Sequence, residues 1–334
     1  MRNVFIWEGA IDWSYITPIA KHLSGENFYL MKKSGLNEDK AFTKSLEYYK
    51  PDNIIAFRYE TFNMIKDTKA IKYQFYHGVS DKGFKYVGGQ MWRLGMHYDY
   101  FVEAGEYGKE QMINKGKIPA DHVVALGYPK LDTYKFHYEN RFNTREELGI
   151  GKYDKVLFYA PTCREENSLY SYMDVKFDGE ELGQHLENIV PKDWYLVIKT
   201  HDDMGWLDKK IKELNNPRIK YVKDYSSSKY LAIANILLGD FSSINLEAMA
   251  IGKPVIQYIN CEERYKNRAP CDWWDYTIKV HNLTGLHAAI QQYIANPILK
   301  INEMETARKL MFNNLFSAGK KVAEFIEEKY ASNR

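Results

Sequence analysis

The 334-residue chain contains only three cysteines, Cys163, Cys261 and Cys271. Their odd number and the lack of metal-ligand spacing exclude a disulfide framework and a zinc site, and fit reduced thiols in a cytosolic protein. Long apolar runs are also missing, since none approaches the roughly 18 residues needed to cross a bilayer. The N-terminal stretch Met1-Arg2-Asn3-Val4-Phe5-Ile6-Trp7-Glu8-Gly9 turns polar after Trp7, too soon for a signal peptide. The chain is therefore expected to be neither secreted nor membrane-spanning. An excess of charge of one sign is lacking as well. Lys+Arg total 46 against 44 Asp+Glu, a formal +2, so no global field marks a nucleic-acid binder and any anion recognition has to be local. There is no internal repeat and no low-complexity segment.

What the chain has is alternation. Short apolar runs alternate with longer helical patterns from end to end, the mark of parallel sheets covered by helices, and the length suits two α/β domains of about 150 residues each. Strands are expected at Val4–Trp7, Phe28–Met31, Ile54–Phe57, Tyr73–Phe75, Tyr100–Val102 and Val123–Leu126. A second set is expected at Val156–Tyr159, Leu196–Lys199, Ile219–Val222, Ile236–Leu238, Val255–Tyr258 and Ile278–Val280. Tyr138 to Lys155 is polar, has two glycines and reads as the linker, which puts the domains at 1–140 and 155–300. Residues 301–334 form a C-terminal helix, with apolar positions from Met304 to Ile326 at helical spacing and Gly319 as its expected break, placed to cross back over the first domain.

In open α/β sheets, ligands sit beyond the carboxyl ends of the strands, so polar residues just after strands are the candidates. The most informative is Leu237 to Pro254, which reads as strand, two-serine turn, helix and closing turn. The hydroxyls of Ser242 and Ser243 and the free amides of the helix start converge on one point, an anion seat. The same residues, with Asp240, also read as a plain helix cap. Glu247, within the first turn or so of that helix, is at a distance where a carboxylate accepts both ribose hydroxyls of a nucleotide; it equally reads as a surface glutamate. His77, followed by Gly78, is a candidate general base with room for a substrate against the backbone. His201, at the matching place in the other half, would stabilise or protonate a phosphate oxygen. Arg164, beside Thr162, offers planar donors to a phosphate or pairs with Glu165 or Glu166. Asp202 and Asp203 lack a third carboxylate at fixed spacing and read as solvated loop acids, so no metal site is expected.

The motifs, in order and spacing, resemble the CDP-glycerol glycerophosphotransferases that build teichoic acids and related capsular polymers. The resemblance covers roughly residues 70 to 275. It is carried by Gln74-Phe75-Tyr76-His77-Gly78, Gly127-Tyr128-Pro129-Lys130-Leu131-Asp132, Leu157-Phe158-Tyr159-Ala160-Pro161-Thr162-Cys163-Arg164, Ile198-Lys199-Thr200-His201, Asp240-Phe241-Ser242-Ser243 and Gly252-Lys253-Pro254-Val255-Ile256. It implies two Rossmann-like domains of the GT-B type, the first on the acceptor and membrane side, the second holding the nucleotide donor. It also implies attack by an acceptor hydroxyl on the β-phosphate of CDP-glycerol with CMP leaving, and no cofactor or metal. His77 becomes the base and His201 the stabiliser of the transferring phosphate. Ser242 and Ser243 hold the donor phosphates with Arg164 nearby. The family usually has Arg-x-His-Pro where this chain has Lys199-Thr200-His201-Asp202, and Trp-Arg where it has Cys163-Arg164. Lys199 supplies charge without the bidentate fork.

The implied partners are CDP-glycerol, an acceptor saccharide on a polyprenyl diphosphate and the inner membrane surface, with no nucleic acid; a homo-oligomer is left open. Localisation is then peripheral, on the cytoplasmic face of the cell membrane. Gly88 to Tyr98, with Lys82, Lys85 and Lys66, is the expected docking surface, or else a helix packed in the first domain. The absence of an added repeat-binding region suits a primase adding one glycerophosphate better than a polymerase. The stretch Asp240 to Glu247 is also similar to UDP-N-acetylglucosamine 2-epimerases, which leaves epimerase, sugar transferase and a non-catalytic nucleotide-binding scaffold as rivals.

Overall fold

The structure is a computed structural model. It describes residues 1–32, 36–57, 61–75, 98–161, 187–200, 209, 211–224, 226–239, 242–258 and 276–334, with the backbone alone at 10, 36–40 and 62. The chain forms two compact units, Met1–Thr133 with Lys309–Arg334, and Tyr134–Arg308.

In the first unit the strands are β1 (Arg2–Trp7), β2 (Glu26–Met31), β3 (Asn53–Ala56), β4 (Ile71–Phe75), β5 (Tyr100–Glu103) and β6 (Val123–Ala125). Its described helices are α1 (Trp13–Ala20), α2 (Leu36–Tyr49), α3 (Phe62–Ile65) and α4 (Glu106–Asn114). The second unit holds α5 (Tyr134–Glu139), α6 (Arg141–Glu147), β7 (Lys155–Tyr159), β8 (Trp194–Lys199), β9 (Ile219–Val222), α7 (Ser227–Ile233), β10 (Ile236–Gly239), α8 (Ile244–Ala250), β11 (Val255–Tyr258), β12 (Ile278–Val280) and α9 (Leu283–Ala295). Helix α10 (Ile301–Met311) leads back to the first unit, which α11 (Ala318–Ser332) completes. Each expected strand has a counterpart, and the fold is α/β with two all-parallel sheets, ordered β2-β1-β3-β4-β5-β6 and β12-β11-β10-β7-β8-β9.

Because a parallel sheet is covered on both faces, its strands are apolar without alternation. In the second unit Leu157, Tyr159, Leu196, Ile198, Ile236, Leu238, Ile256 and Tyr258 share one core with Leu286, Ile290 and Tyr293 of α9. The neighbours Val156, Phe158, Val197, Leu237 and Val255 are equally buried on the other face. A polar ladder fixes the register in the first sheet. Asn3 faces Asn27 and Asn53 across its two neighbouring strands, donates to Asn27 Oδ1 at 2.9 Å and accepts from Asn53 Nδ2 at 2.9 Å. A one-residue slip would strand these buried amides.

The segment read as the linker carries α5 and α6 and belongs to the second unit. Arg145 of α6 donates through Nη2 to Ile233 O at 2.9 Å, and through Nη1 to Gly151 O and Asp154 O. The C-terminal break lies at residues 312–317, where Asn314 and Phe316 have φ of 48° and 66°, and not at Gly319. Gly319 sits inside α11, whose buried face of Ala318, Gly319, Val322, Ala323 and Ile326 is small enough for α11 to come against α1. A Cβ on Gly319 would collide with the Pro18 backbone.

The Gly127–Asp132 motif forms the seam for this helix. Gly127 has φ 110° and leaves no room for a Cβ against Asn313 O and Ala318. Tyr15 donates its hydroxyl to that of Tyr128 at 2.7 Å. Asp132 accepts the Ala318 and Gly319 amides at 3.0 and 2.7 Å, capping α11 from another part of the chain. Asp132→Ala is expected to cost about 1–2 kcal/mol in urea unfolding and to speed amide exchange first in α11. Unchanged stability and exchange would show that the cap is idle.

Candidate functional site

Strand order locates the crevice. In the second sheet the chain runs outward from β7 through β8 and β9, then returns to β10 on the other side, so the order reverses between β7 and β10. At such a switch point the crossovers diverge and leave an opening beyond the carboxyl ends. Register places Leu238 beside Tyr159 and Tyr159 beside Ile198, and Ala160 N donates to Leu238 O at 3.0 Å. Gly239 and Lys199 therefore end their strands, and Pro161 lies just past β7, at the same edge of the sheet. Ser242 and Ser243 lie at that edge, immediately before α8.

The Ser243 hydroxyl is not spent on the helix in the way the cap reading requires. Ser243 stands at the N-cap position of α8 without a side-chain cap hydrogen bond. Backbone carbonyls do the closing, with Ser242 O accepting from Asn245 N and Ser243 O from Glu247 N, both at 3.1 Å. Gly239 lets the turn close, because a Cβ there would run into the Asn245 side chain, which is fully buried.

Glu247 is only 1% exposed, which removes the surface-glutamate reading. Its Oε2 accepts from Ser227 Oγ at 3.3 Å, tying α8 to the first residue of α7. Lys199 turns its ammonium to Thr200 O at 3.3 Å, and the Thr200 hydroxyl bonds that of Tyr221 at 2.7 Å. Hydroxyls, peptide N–H groups and an ammonium at one sheet edge suit an anion. His77, Gly78, Thr162, Arg164, His201, Asp202, Asp203 and Asp240 lie outside the described residues. So does most of the expected membrane segment, of which Tyr98 is described and buried in the first core.

Sequence reading passed over two features. One is the loop after β1, at the first sheet's own switch point between β1 and β3. Asp12 is fully buried there and its Oδ2 accepts the Glu8 and Gly9 amides at 2.9 and 3.2 Å. Glu8 pairs with Lys32 of the neighbouring strand end at 2.9 Å. A glycine just past a strand, followed by an aspartate three residues on, was the available signal. The other is Lys253, in one of the segments that carry the family resemblance. Its Nζ donates to Ala234 O at 2.7 Å, next to Ile233 O, the acceptor of Arg145. That is the amino end of the strands, opposite the serine turn, so Lys253 closes the C-terminus of α7. Burial first, then Arg145 and Arg141, lower its ammonium pKa to about 8.

A family model described as CDP-Glycerol:Poly(glycerophosphate) glycerophosphotransferase matches residues 57–313. The chain belongs to this family. A teichoic acid poly(glycerol phosphate) polymerase of Bacillus spizizenii is 25% identical over 216 residues, 62% of this chain and 48% of that one. A teichoic acid glycerol-phosphate primase of Bacillus subtilis is 30% identical over 172 residues, 48% and 39% of the two chains. The matches thus span under half of these relatives' length. Among solved structures, that of the wall teichoic acid polymerase TagF superposes with a TM-score of 0.75 at 16% identity, over 99% of this chain and 89% of that one. A UDP-GlcNAc 2-epimerase from Neisseria meningitidis bound to UDP-GlcNAc superposes with a TM-score of 0.70 at 15% identity, over all of both chains. These likenesses are of fold, and the fold is of the GT-B type.

Gly239→Ala is expected to push Asn245 aside and cost about 1–3 kcal/mol in chemical unfolding; an unchanged midpoint would mean the turn closes otherwise. Lys253 sheds its proton near pH 8 in the folded chain, against an ordinary 10.5. The unfolded state then binds more protons between these values, so stability rises with pH across the window. Relative to Lys253→Met, the wild type should gain stability from pH 7 to pH 10 in urea titrations, and a flat difference would contradict the assignment.

Proposed function

We propose that the chain transfers glycerol phosphate from CDP-glycerol to a hydroxyl of a saccharide carried on a polyprenyl diphosphate, releasing CMP, and that it acts as a primase adding one unit. The observation that carries this is the uncapped Ser242–Ser243 turn at the β7–β10 switch point, in a chain of this family. In this reading the second unit holds the donor and the first the acceptor, at the inner membrane face and without a metal.

Each residue then has a task. His77 takes the proton of the acceptor hydroxyl as its oxygen forms the new bond to the β-phosphorus. The bond from that phosphorus to the bridging oxygen breaks, and CMP leaves with the electron pair. His201 and Arg164 stabilise charge on the transferring group, with Thr162 and Lys199 beside them. Gly78 leaves room for the acceptor. Ser242 and Ser243 orient the donor phosphates, and Glu247 accepts the ribose hydroxyls. Phosphoryl transfer needs positioning and charge stabilisation more than a covalent nucleophile, and these side chains supply both.

The test is incubation with CDP-glycerol and a short-chain lipid disaccharide, following CMP release and product mass. One added unit supports the primase, and a ladder of masses replaces it with a polymerase. No CMP release with any acceptor, together with tight binding of UDP and not CDP, overturns the reading in favour of the epimerase alternative. Ser242→Ala with Ser243→Ala should raise the donor KM by about tenfold or more at unchanged stability, the reverse of what loss of a helix cap would do. His77→Ala and His201→Ala should abolish turnover, whereas a scaffold would tolerate both.

A further inference from the structure

A surface of the second unit, between the Gly127–Asp132 and Leu157–Arg164 motifs in sequence, interleaves exposed rings with cations. Phe136 and Tyr138 on α5, Phe142 on α6 and Tyr153 in the following turn are 63%, 44%, 40% and 86% exposed. Arg141 lies over Tyr138 and Phe142, with Cζ 4.3 and 4.4 Å from the ring centres. Lys152 lies over Phe142 and Tyr153, with Nζ at 5.1 and 5.3 Å. Beside Phe142 and Lys152 opens a groove of about 410 Å³, lined also by Arg145, Glu146 and Ile150.

Charge decides what this surface suits. Several other lysines sit beside carboxylates, as in the Lys300–Glu303, Lys321–Glu324 and Lys229–Glu147 pairs. Arg141 and Lys152 have no carboxylate partner among the described residues, and rings hold them instead. The nearby acids are Glu139, Glu146 at the groove, Glu147, which pairs with Lys229, and Asp154, whose carboxylate is taken up by the Gly151 amide at 2.7 Å. Behind the groove Arg145 and Lys253 add positive charge, enough that each of Arg145 and Arg141 helps to lower the Lys253 pKa. A protein interface is enriched in rings and Arg but depleted of Lys and Glu, and both Lys152 and Glu146 stand in this surface. Here the cations alternate with the rings, as they do where tyrosine and phenylalanine sit at headgroup depth and cations meet lipid phosphates.

We propose that Tyr138, Arg141, Phe142, Lys152 and Tyr153 form a docking surface for the headgroup layer of an anionic phospholipid bilayer. The proposal names the surface behind the membrane association in the function proposed above, and rests on that reading for its purpose. The whole chain rides on the bilayer through α5, α6 and the turn after them, with the rings at the interface and the two cations on lipid phosphates.

The full chain is sedimented with phosphatidylcholine vesicles, with and without phosphatidylglycerol, over a salt series. Binding should require phosphatidylglycerol and weaken with salt. Lys152→Ala with Tyr153→Ser, both at exposed positions, should weaken it by about tenfold or more with an unchanged melting temperature. CMP release with the short-chain acceptor should stay at the wild-type rate in this variant. Failure of the wild type to bind anionic vesicles overturns the proposal, as does a variant that binds like the wild type. Retention of soluble polyphosphate with no vesicle binding also overturns it, since the surface would then read a polyanion. If the wild type releases no CMP, the enzymatic reading fails while the vesicle result still decides the surface.

Discussion

Each strand in both sheets is parallel to its neighbours, and this one constraint organises the molecule. A parallel strand cannot be joined to the next by a tight turn, so the chain has to return over a face of the sheet, usually through a helix. Both faces become covered and the strands apolar throughout. Strand ends where crossovers part to opposite sides are then the natural openings. The serine turn and the Asp12 loop each occupy such a point. Location of chemistry in this fold follows from strand order before any side chain is considered.

The strands were legible because burial on both faces leaves an unmistakable apolar run. Leu237-Leu238 and Val4-Phe5-Ile6 admit little else once bounded by polar turns. The break in the C-terminal segment was not legible, because Gly319 advertises flexibility while the real break uses Asn314 and Phe316 in the left-handed region. Gly319 is there for close approach to Pro18, a tertiary reason with no local signature. Glu247 was half legible. Its place on α8 followed from spacing, but its burial depends on α7, which is brought to it by the sheet and not by neighbouring residues. The same holds for the Gly127–Asp132 motif, whose partners lie near position 318.

The two ends of the second sheet divide their labour. At the carboxyl end, the Ser243 side chain makes no cap hydrogen bond to α8, a local sacrifice of stability that suits a ligand site. At the amino end, Arg145 and Lys253 converge on the last carbonyls of α7 and hold the strand entrances. A family motif can thus mark either end, and Gly252-Lys253-Pro254 marks the structural one.

The first unit is made of two pieces of chain, with 175 residues of the second unit between them, from Tyr134 to Arg308. During synthesis at about 5–20 residues per second, Met1–Thr133 waits roughly 10–40 s for its last helix, which ends at Ser332. Over that time α1 and the ends of β4 and β5 lack the cover of α11, and the Asp132 carboxylate has no amides to receive. The second unit, continuous in sequence, has no such wait. The unit made first is therefore finished last, and chaperone demand during synthesis should fall on the amino-terminal half of the chain.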